Sequence, residues 1–174
     1  ISAILSLIPL GQPLLIKTGI FLSTSGIIIF NSQKVNANNN NFYFNRGIEK
    51  QNKGDNYGAI SDFTKAIELD PKDGDSYHNR AVSWERLEEC DRAISDYYRS
   101  IQIKPAPDSY SGIGYCKNQQ EDYYGAIKVL TKAIELDPQY LDAYINRGNS
   151  KNALKDHYGA IDDFTKAIEI DPSD

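Results

Sequence analysis

Three near-copies of one phrase constrain this chain more than any other feature of it. Gly58-Ala59-Ile60 leads to Ala66-Ile67-Glu68-Leu69-Asp70-Pro71, Gly125-Ala126-Ile127 to Ala133-Ile134-Glu135-Leu136-Asp137-Pro138, and Gly159-Ala160-Ile161 to Ala167-Ile168-Glu169-Ile170-Asp171-Pro172. A degenerate fourth copy, Arg92-Ala93-Ile94 to Ser100-Ile101-Gln102-Ile103-Lys104-Pro105, fills the gap. The closing prolines lie 34, 33 and 34 residues apart. A fixed period of that size marks a unit that buries its apolar face only by stacking on its neighbours. The chain is therefore expected to be a solenoid, an architecture that presents extended binding surfaces.

With each unit counted so that its proline falls at position 32, small residues recur at position 8 (Gly47, Ala81, Gly114, Gly148) and position 20 (Ala59, Ala93, Ala126, Ala160). Position 24 is bulky (Phe63, Tyr97, Leu130, Phe164), and position 27 is small again (Ala66, Ser100, Ala133, Ala167). Pairs of small residues let two helices approach closely, and the bulky one fills the space beside them. This pattern, from residue 40 to 174, resembles the tetratricopeptide repeat family. The resemblance implies an all-α fold, a right-handed α-solenoid of four stacked helix-turn-helix units, at 40–73, 74–106, 107–140 and 141–174.

Local signals agree with a helix, turn, helix reading of each unit. Asp55, Asp122 and Asp156 stand just before the second helix of units one, three and four, where a carboxylate caps free backbone N–H groups and favours the positive end of the dipole. Each closing proline lacks an N–H and cannot continue the helix before it. The one-residue deletion is placed in the Pro105-Ala106-Pro107 linker. Units one, two and four also carry Arg at position 7 with Asp at position 23: Arg46 with Asp62, Arg80 with Asp96, Arg147 with Asp163. Unit three replaces both at once, by Ile113 and Val129. A charged pair exchanged for an apolar pair implies that the two positions touch, giving three ion pairs and one apolar contact.

The first acidic residue is Glu49, so with Lys17 and Lys34 set aside the repeats carry 17 basic against 24 acidic residues. Such a surface repels phosphate backbones and argues against nucleic-acid binding. Residues 1–30 are different, with Lys17 as their one charge and Pro9, Gly11 and Pro13 among apolar and small residues. Residues 1–37 are read as an apolar signal peptide or membrane anchor. In the first reading, Lys17, the run from Ile20 to Phe30 and the small-residue site Val35-Asn36-Ala37 form a cleavable secretory signal. In the second, an uncleaved anchor runs from about Leu14 to Phe30. Both place the repeats in an exported (periplasmic, lumenal or extracellular) or membrane-anchored location. Asn38 to Asn41 reads as a flexible Asn-rich linker. Unit four stops directly after its second helix, so either more chain follows in the natural protein or that face finds a partner, self-association through the helix being one such expectation.

In the family, the first helix of each unit lines a concave groove through positions 2, 5, 6, 9, 12 and 13. Position 6 holds Asn45, Asn79, Gly112 and Asn146. An amide offers a donor and an acceptor together, which suits it to holding the backbone of an extended peptide, and the resemblance carries that role to Asn45, Asn79 and Asn146. Gly112 breaks the ladder. Around it Phe44, Ile48, Val82, Tyr115 and Ile145 supply apolar contact, while Gln51, Asn52, Asn118, Gln119, Asn149 and Asn152 supply amides. Asp75, Asp108 and Asp142 form a row at position 2 that would attract Lys or Arg, although capping and the helix dipole also explain carboxylates at helix starts. Relatives that clamp a chaperone's terminal carboxylate use basic residues at positions 2, 5 and 6, and this chain has no Lys or Arg there, position 5 reading Phe44, His78, Ser111 and Ile145.

The case for chemistry is poor. His78 and His157 belong to different units, and no HxxxH, HExxH or CxxC spacing offers a metal site. Cys90 and Cys116 fall on helices expected to be neighbours, but spacing alone does not establish disulfide geometry. No cofactor is expected. The reading is a non-catalytic protein-protein interaction module, a scaffold or assembly factor, that binds an extended segment of another protein in its concave groove. The alternatives are the substrate-recruiting array of a larger enzyme and a self-assembling structural array.

Overall fold

A computed structural model describes the backbone of residues 25–172 and the side chains of residues 39–172. The chain divides into two units, residues 1–35 and 36–174. The described part of the first is helical from Ser25. Most of the expected signal or anchor segment, including Lys17, lies outside the described residues. Among the described residues no helix is long and apolar enough to cross a membrane.

The described helices are α1 (Ser25–Asn52), α2 (Asn56–Leu69), α3 (Gly74–Glu85), α4 (Cys90–Ile103), α5 (Pro107–Gln119), α6 (Tyr123–Leu136), α7 (Leu141–Ala153) and α8 (His157–Ile170). From α2 onward each packs on the next, and α3 also touches α5, as α5 touches α7. The first helices of successive units are thus neighbours along one face. The Asn38–Asn41 run, expected to be a flexible linker, lies inside α1. Asn40 is buried there and donates from Nδ2 to the Ala66 carbonyl at 3.0 Å. Polar composition suggested a loop, but this amide caps a carbonyl at the end of α2 and so belongs to the packed array.

Three of the second helices begin as the sequence indicates: Asp55, Asp122 and Asp156 accept from the backbone N–H of Gly58, Gly125 and Gly159 at 2.9, 2.9 and 3.0 Å. The small position 8 is a matter of space, since a Cβ at Gly47 would lie 2.7 Å from the Phe63 ring and one at Gly148 2.6 Å from Phe164. Each turn between the helices of a unit requires one left-handed residue, filled by Gly54 at φ 79° and then by Glu88, Glu121 and Lys155 at 62°, 61° and 64°. A side chain there costs about 1–2 kcal/mol, partly offset because glycine loses more entropy on folding. Lys155→Gly should therefore stabilise the protein by about 0.5 kcal/mol, and a lower thermal midpoint for this variant would contradict that reading.

All three ion pairs form. Arg46, Arg80 and Arg147 each grip the aspartate of their own unit with two hydrogen bonds, through Nε and Nη2 to Asp62, Asp96 and Asp163, over 2.5–2.9 Å. In unit three Ile113 is fully buried and Val129 packs against its cluster. The arginines of units two and four do more than pair. Arg80 Nη1 donates to Thr64 Oγ1 at 3.0 Å and Arg147 Nη1 to Thr131 Oγ1 at 3.1 Å, each threonine lying on the last helix of the preceding unit. Where position 7 is Ile113, the preceding unit has Tyr98 in place of that threonine.

A second lock is made of amides. Gln51 Nε2 donates to the Asn79 carbonyl and to Ser83 Oγ, both at 2.9 Å. Asn118 repeats this two periods later, donating to the Asn146 carbonyl at 3.1 Å and accepting from Ser150 Oγ at 2.6 Å. The joint between units two and three has neither lock. It is an apolar core of Ala81, Ala93, Tyr97, Ile113 and Cys116, with Trp84 and Cys90 packed against it. Both cysteines are free thiols, and burial pushes the Cys116 thiol above its ordinary range. At the far end, Ile161 and Ile168 of α8 are each 58% exposed, where their counterparts Ile60 and Ile67 are 9%.

Candidate functional site

The face built from α1, α3, α5 and α7 carries the residues expected in the groove, though they do not share one role. Asn45 is exposed and Asn146 half-buried, and among the described residues neither side chain has a hydrogen-bonding partner. Asn79 turns its Nδ2 onto the Asp75 carbonyl one turn back, at 2.8 Å, and among the described residues its Oδ1 has no partner. Asn149 is exposed. Phe44 leans on the Phe63 ring with centroids 5.9 Å apart and lines a depression with Asn40, Lys72 and Ile103. Ile48 is half-buried. Val82 and Tyr115 line one cavity together with Asn146.

Gln51 and Asn118, expected as groove amides, are instead spent on the joints described above. A sequence signal for this existed. Position 12 holds an amide wherever position 10 of the next unit holds serine, as Gln51 with Ser83 and Asn118 with Ser150, and a carboxylate, Glu85, where that residue is Cys116.

Glu85 and its surroundings were not singled out from sequence. The carboxylate accepts a hydrogen bond from the Tyr97 hydroxyl at 2.8 Å. Burial pushes Glu85 above the usual carboxylate range, opposed by that bond and by Arg86. Arg86 itself donates to the Gln51 carbonyl at 3.1 Å, back toward unit one. Gly112 makes the arrangement possible, because a Cβ there would collide with the outer ring atoms and hydroxyl of Tyr97. Its break in the ladder therefore opens the groove floor to a tyrosine from the helix behind.

Two cavities flank Glu85. One, about 300 Å³, is lined by residues that include His78, Glu85, Asp108, Tyr115, Tyr140 and Asp142. The other, about 420 Å³, includes Glu85, Glu88, Glu89, Asp91 and Tyr115. His78 accepts or donates at Nδ1 to Ser109 Oγ, 2.8 Å away, and its Nε2 is 3.7 Å from Asp108. Burial pulls its pKa below the ordinary histidine value against the pull of Asp108 and Asp75, so the ring is neutral at physiological pH. Asp75, the third member of the position-2 row, meets Lys104 at 3.5 Å, while Asp73 performs the capping of α3. Among the described residues no group of three or more His, Cys, Asp and Glu is arranged to hold a metal ion.

Family comparison agrees with this architecture. Residues 41–73 and 141–174 match the family described as tetratricopeptide repeat, and residues 114–154 match that described as TPR repeat. The chain is a member of the tetratricopeptide repeat family, an all-α repeat solenoid. Such arrays are protein-protein interaction modules. A crystal structure of MamA protein is similar over 78% of this chain and 75% of its own, at 25% identity and a TM-score of 0.72. MamA from Desulfovibrio magneticus RS-1, residues 41 to the end, is 23% identical over 78% and 77% of the two chains, with a TM-score of 0.71. The first TPR of Spaghetti (RPAP3), bound to the HSP90 peptide SRMEEVD, is 23% identical over 68% of this chain and 94% of that one, at 0.66. No curated protein sequence matches the chain.

Proposed function

We propose that this array is a non-catalytic scaffold or assembly factor that holds an extended segment of another protein along the face formed by α1, α3, α5 and α7. The observation that carries this reading is the division of labour among the amides. Gln51 and Asn118 are consumed by the joints, whereas among the described residues the amides of Asn45 and Asn146 are unpaired and Asn79 spends its Nδ2 on the Asp75 carbonyl, with no partner on its Oδ1. An extended backbone offers alternating N–H and C=O groups that such amides satisfy regardless of side chains. Apolar contact from Phe44, Ile48, Val82 and Tyr115 adds the anchors, with Asn149 at the rim. A segment ending in carboxylates, such as the peptide held by the RPAP3 repeat, does not suit this groove, whose cavities around Glu85 are lined by acids.

Affinity capture from native extract tests the reading, comparing the full chain with a variant carrying Asn45→Ala, Asn79→Ala and Asn146→Ala. The triple variant is expected to keep its helicity and to lose the partner that the unaltered protein retains. Recovery of the same proteins by both would move the binding surface away from this face.

A further inference from the structure

The middle joint departs from the repeat at three positions, and the departures form one device. Position 12 is Glu85 where the neighbouring units have Gln51 and Asn118, position 24 is Tyr97 where units one and four have phenylalanine, and position 6 is Gly112 where the others have asparagine. The glycine leaves room for the tyrosine hydroxyl, and the hydroxyl holds the carboxylate at 2.8 Å. A polar residue that locks the other joints has been replaced by a charge that makes no bridge to the next unit. Its one hydrogen-bonding partner among the described residues fixes its position without neutralising it.

Arg86, the next residue along, is the cation that acts on that charge, and its guanidinium is engaged with the Gln51 carbonyl of unit one. Neither cavity beside Glu85 is lined by Lys or Arg, and the two share Glu85 and Tyr115. Asp108 and Asp142, exposed on the first turns of α5 and α7, complete the smaller one. Asp108 lies 3.7 Å from His78 Nε2, and burial holds that imidazole below its ordinary pKa. Like charges gathered in a partly enclosed space raise one another's energy, and a positive charge placed among them relieves it. Tyr115, 39% exposed, and Tyr140 add ring faces that attract guanidinium or ammonium groups.

We propose that the groove at the joint of units two and three takes an arginine or lysine side chain of the bound segment, with Glu85, Asp108 and Asp142 as counter-charges and Tyr115 and Tyr140 as its walls. This rests on the reading of the concave face as the binding surface and adds the chemistry of the partner: an extended segment that carries a basic residue. Glu85 is the specificity-determining residue, because of the three acids it is the one that lines both cavities.

The test is a titration of the isotope-labelled full chain, followed by the backbone amides of Gly112 and Tyr115, with N-acetyl-arginine methylamide and its neutral isostere N-acetyl-citrulline methylamide. The arginine probe is expected to give saturable shifts at these amides, at least fivefold tighter than citrulline and weakened by added salt. Glu85→Gln is expected to weaken the arginine probe about tenfold, one decade in the dissociation constant. The same substitution should raise the thermal midpoint at pH 7. Burial raises the folded pKa of Glu85 above its unfolded value, so the stability linked to this group is present below the unfolded pKa and lost as pH rises through the folded one. Should Glu85→Gln disturb the joint, Asp142→Asn, at an exposed position, gives the same readout with a smaller loss. Equal response to arginine and citrulline, or arginine binding unaffected by both substitutions, would overturn the proposal.

The two readings fail differently. If the asparagine variant loses its captured partner while Glu85→Gln retains it, the groove stands and its basic specificity falls. If arginine binds at Gly112 and Tyr115 while the asparagine variant captures normally, the acidic site stands and the amide ladder falls.

Discussion

Asp96→Val alone is expected to destabilise the protein by about 3 kcal/mol, and adding Arg80→Ile to it should restore all but about 1 kcal/mol. Asp96 is 6% exposed and accepts two hydrogen bonds from Arg80, at 2.7 and 2.8 Å. Removing the carboxylate leaves a guanidinium whose side chain is only 19% exposed facing an apolar residue. Breaking one side of a buried pair costs about 3–5 kcal/mol, and the low end applies because Arg80 still reaches Thr64 and the Tyr77 ring. The double variant copies unit three, where Ile113 and Val129 occupy the same two positions in a packed core. Thr64 is not orphaned by the exchange, since its hydroxyl already donates to the Ile60 carbonyl at 2.7 Å. Thermal midpoints decide the matter: the single variant should fall by roughly 10 °C and the double by about a third of that. A double variant as unstable as the sum of its singles would show that unit three's exchange is not transferable.

The coupling between these positions was legible because four copies of one unit lie in a single chain. The copies act as an internal comparison, so the paired change in unit three marks a contact between the two positions. The same comparison held two further signals. Thr64 and Thr131 precede Arg80 and Arg147 by one unit, and Tyr98 precedes Ile113. Gln51 and Asn118 precede Ser83 and Ser150, and Glu85 precedes Cys116. These pairs cross a joint, so they show only when one unit is aligned with the next rather than with itself.

What sequence could not supply was the direction of individual side chains. Gln51 and Asn118 have the composition and the position of groove residues, yet a rotamer that reaches the neighbouring helix buries Gln51 to 6% exposure. Asn40 reads as part of a polar linker and is buried for a similar reason: its amide reaches α2 and adds a second hydrogen bond to the Ala66 carbonyl, which already accepts from the Asp70 N–H. Gly112 looked like a missing contact, whereas its meaning lies in the tyrosine that occupies the space.

Gly112→Ala should therefore cost about 2 kcal/mol, against the sign that helix propensity alone gives. In the middle of a helix alanine is favoured over glycine by about 1 kcal/mol. Gly112 lies in the interior of α5, but the added Cβ would enter the ring of Tyr97, which is 2% exposed and tied by its hydroxyl to Glu85. The ring cannot withdraw without breaking that bond and opening the core of the joint, and overpacking of this kind costs typically about 1–3 kcal/mol or more. Shortening the obstructing side chain supplies the control. Leucine, the residue at the corresponding position of unit three, lacks the ring atoms that the Cβ meets, so Tyr97→Leu in the Gly112→Ala background should relieve the collision and be more stable than the sum of the two single changes predicts. It should also free Glu85 and lower the occupancy of arginine at the joint. Urea unfolding of the four proteins measures the first effect and probe titration the second. Should Gly112→Ala prove more stable than the parent, the glycine would be a relic of sequence rather than the space that holds Tyr97 and the carboxylate behind it.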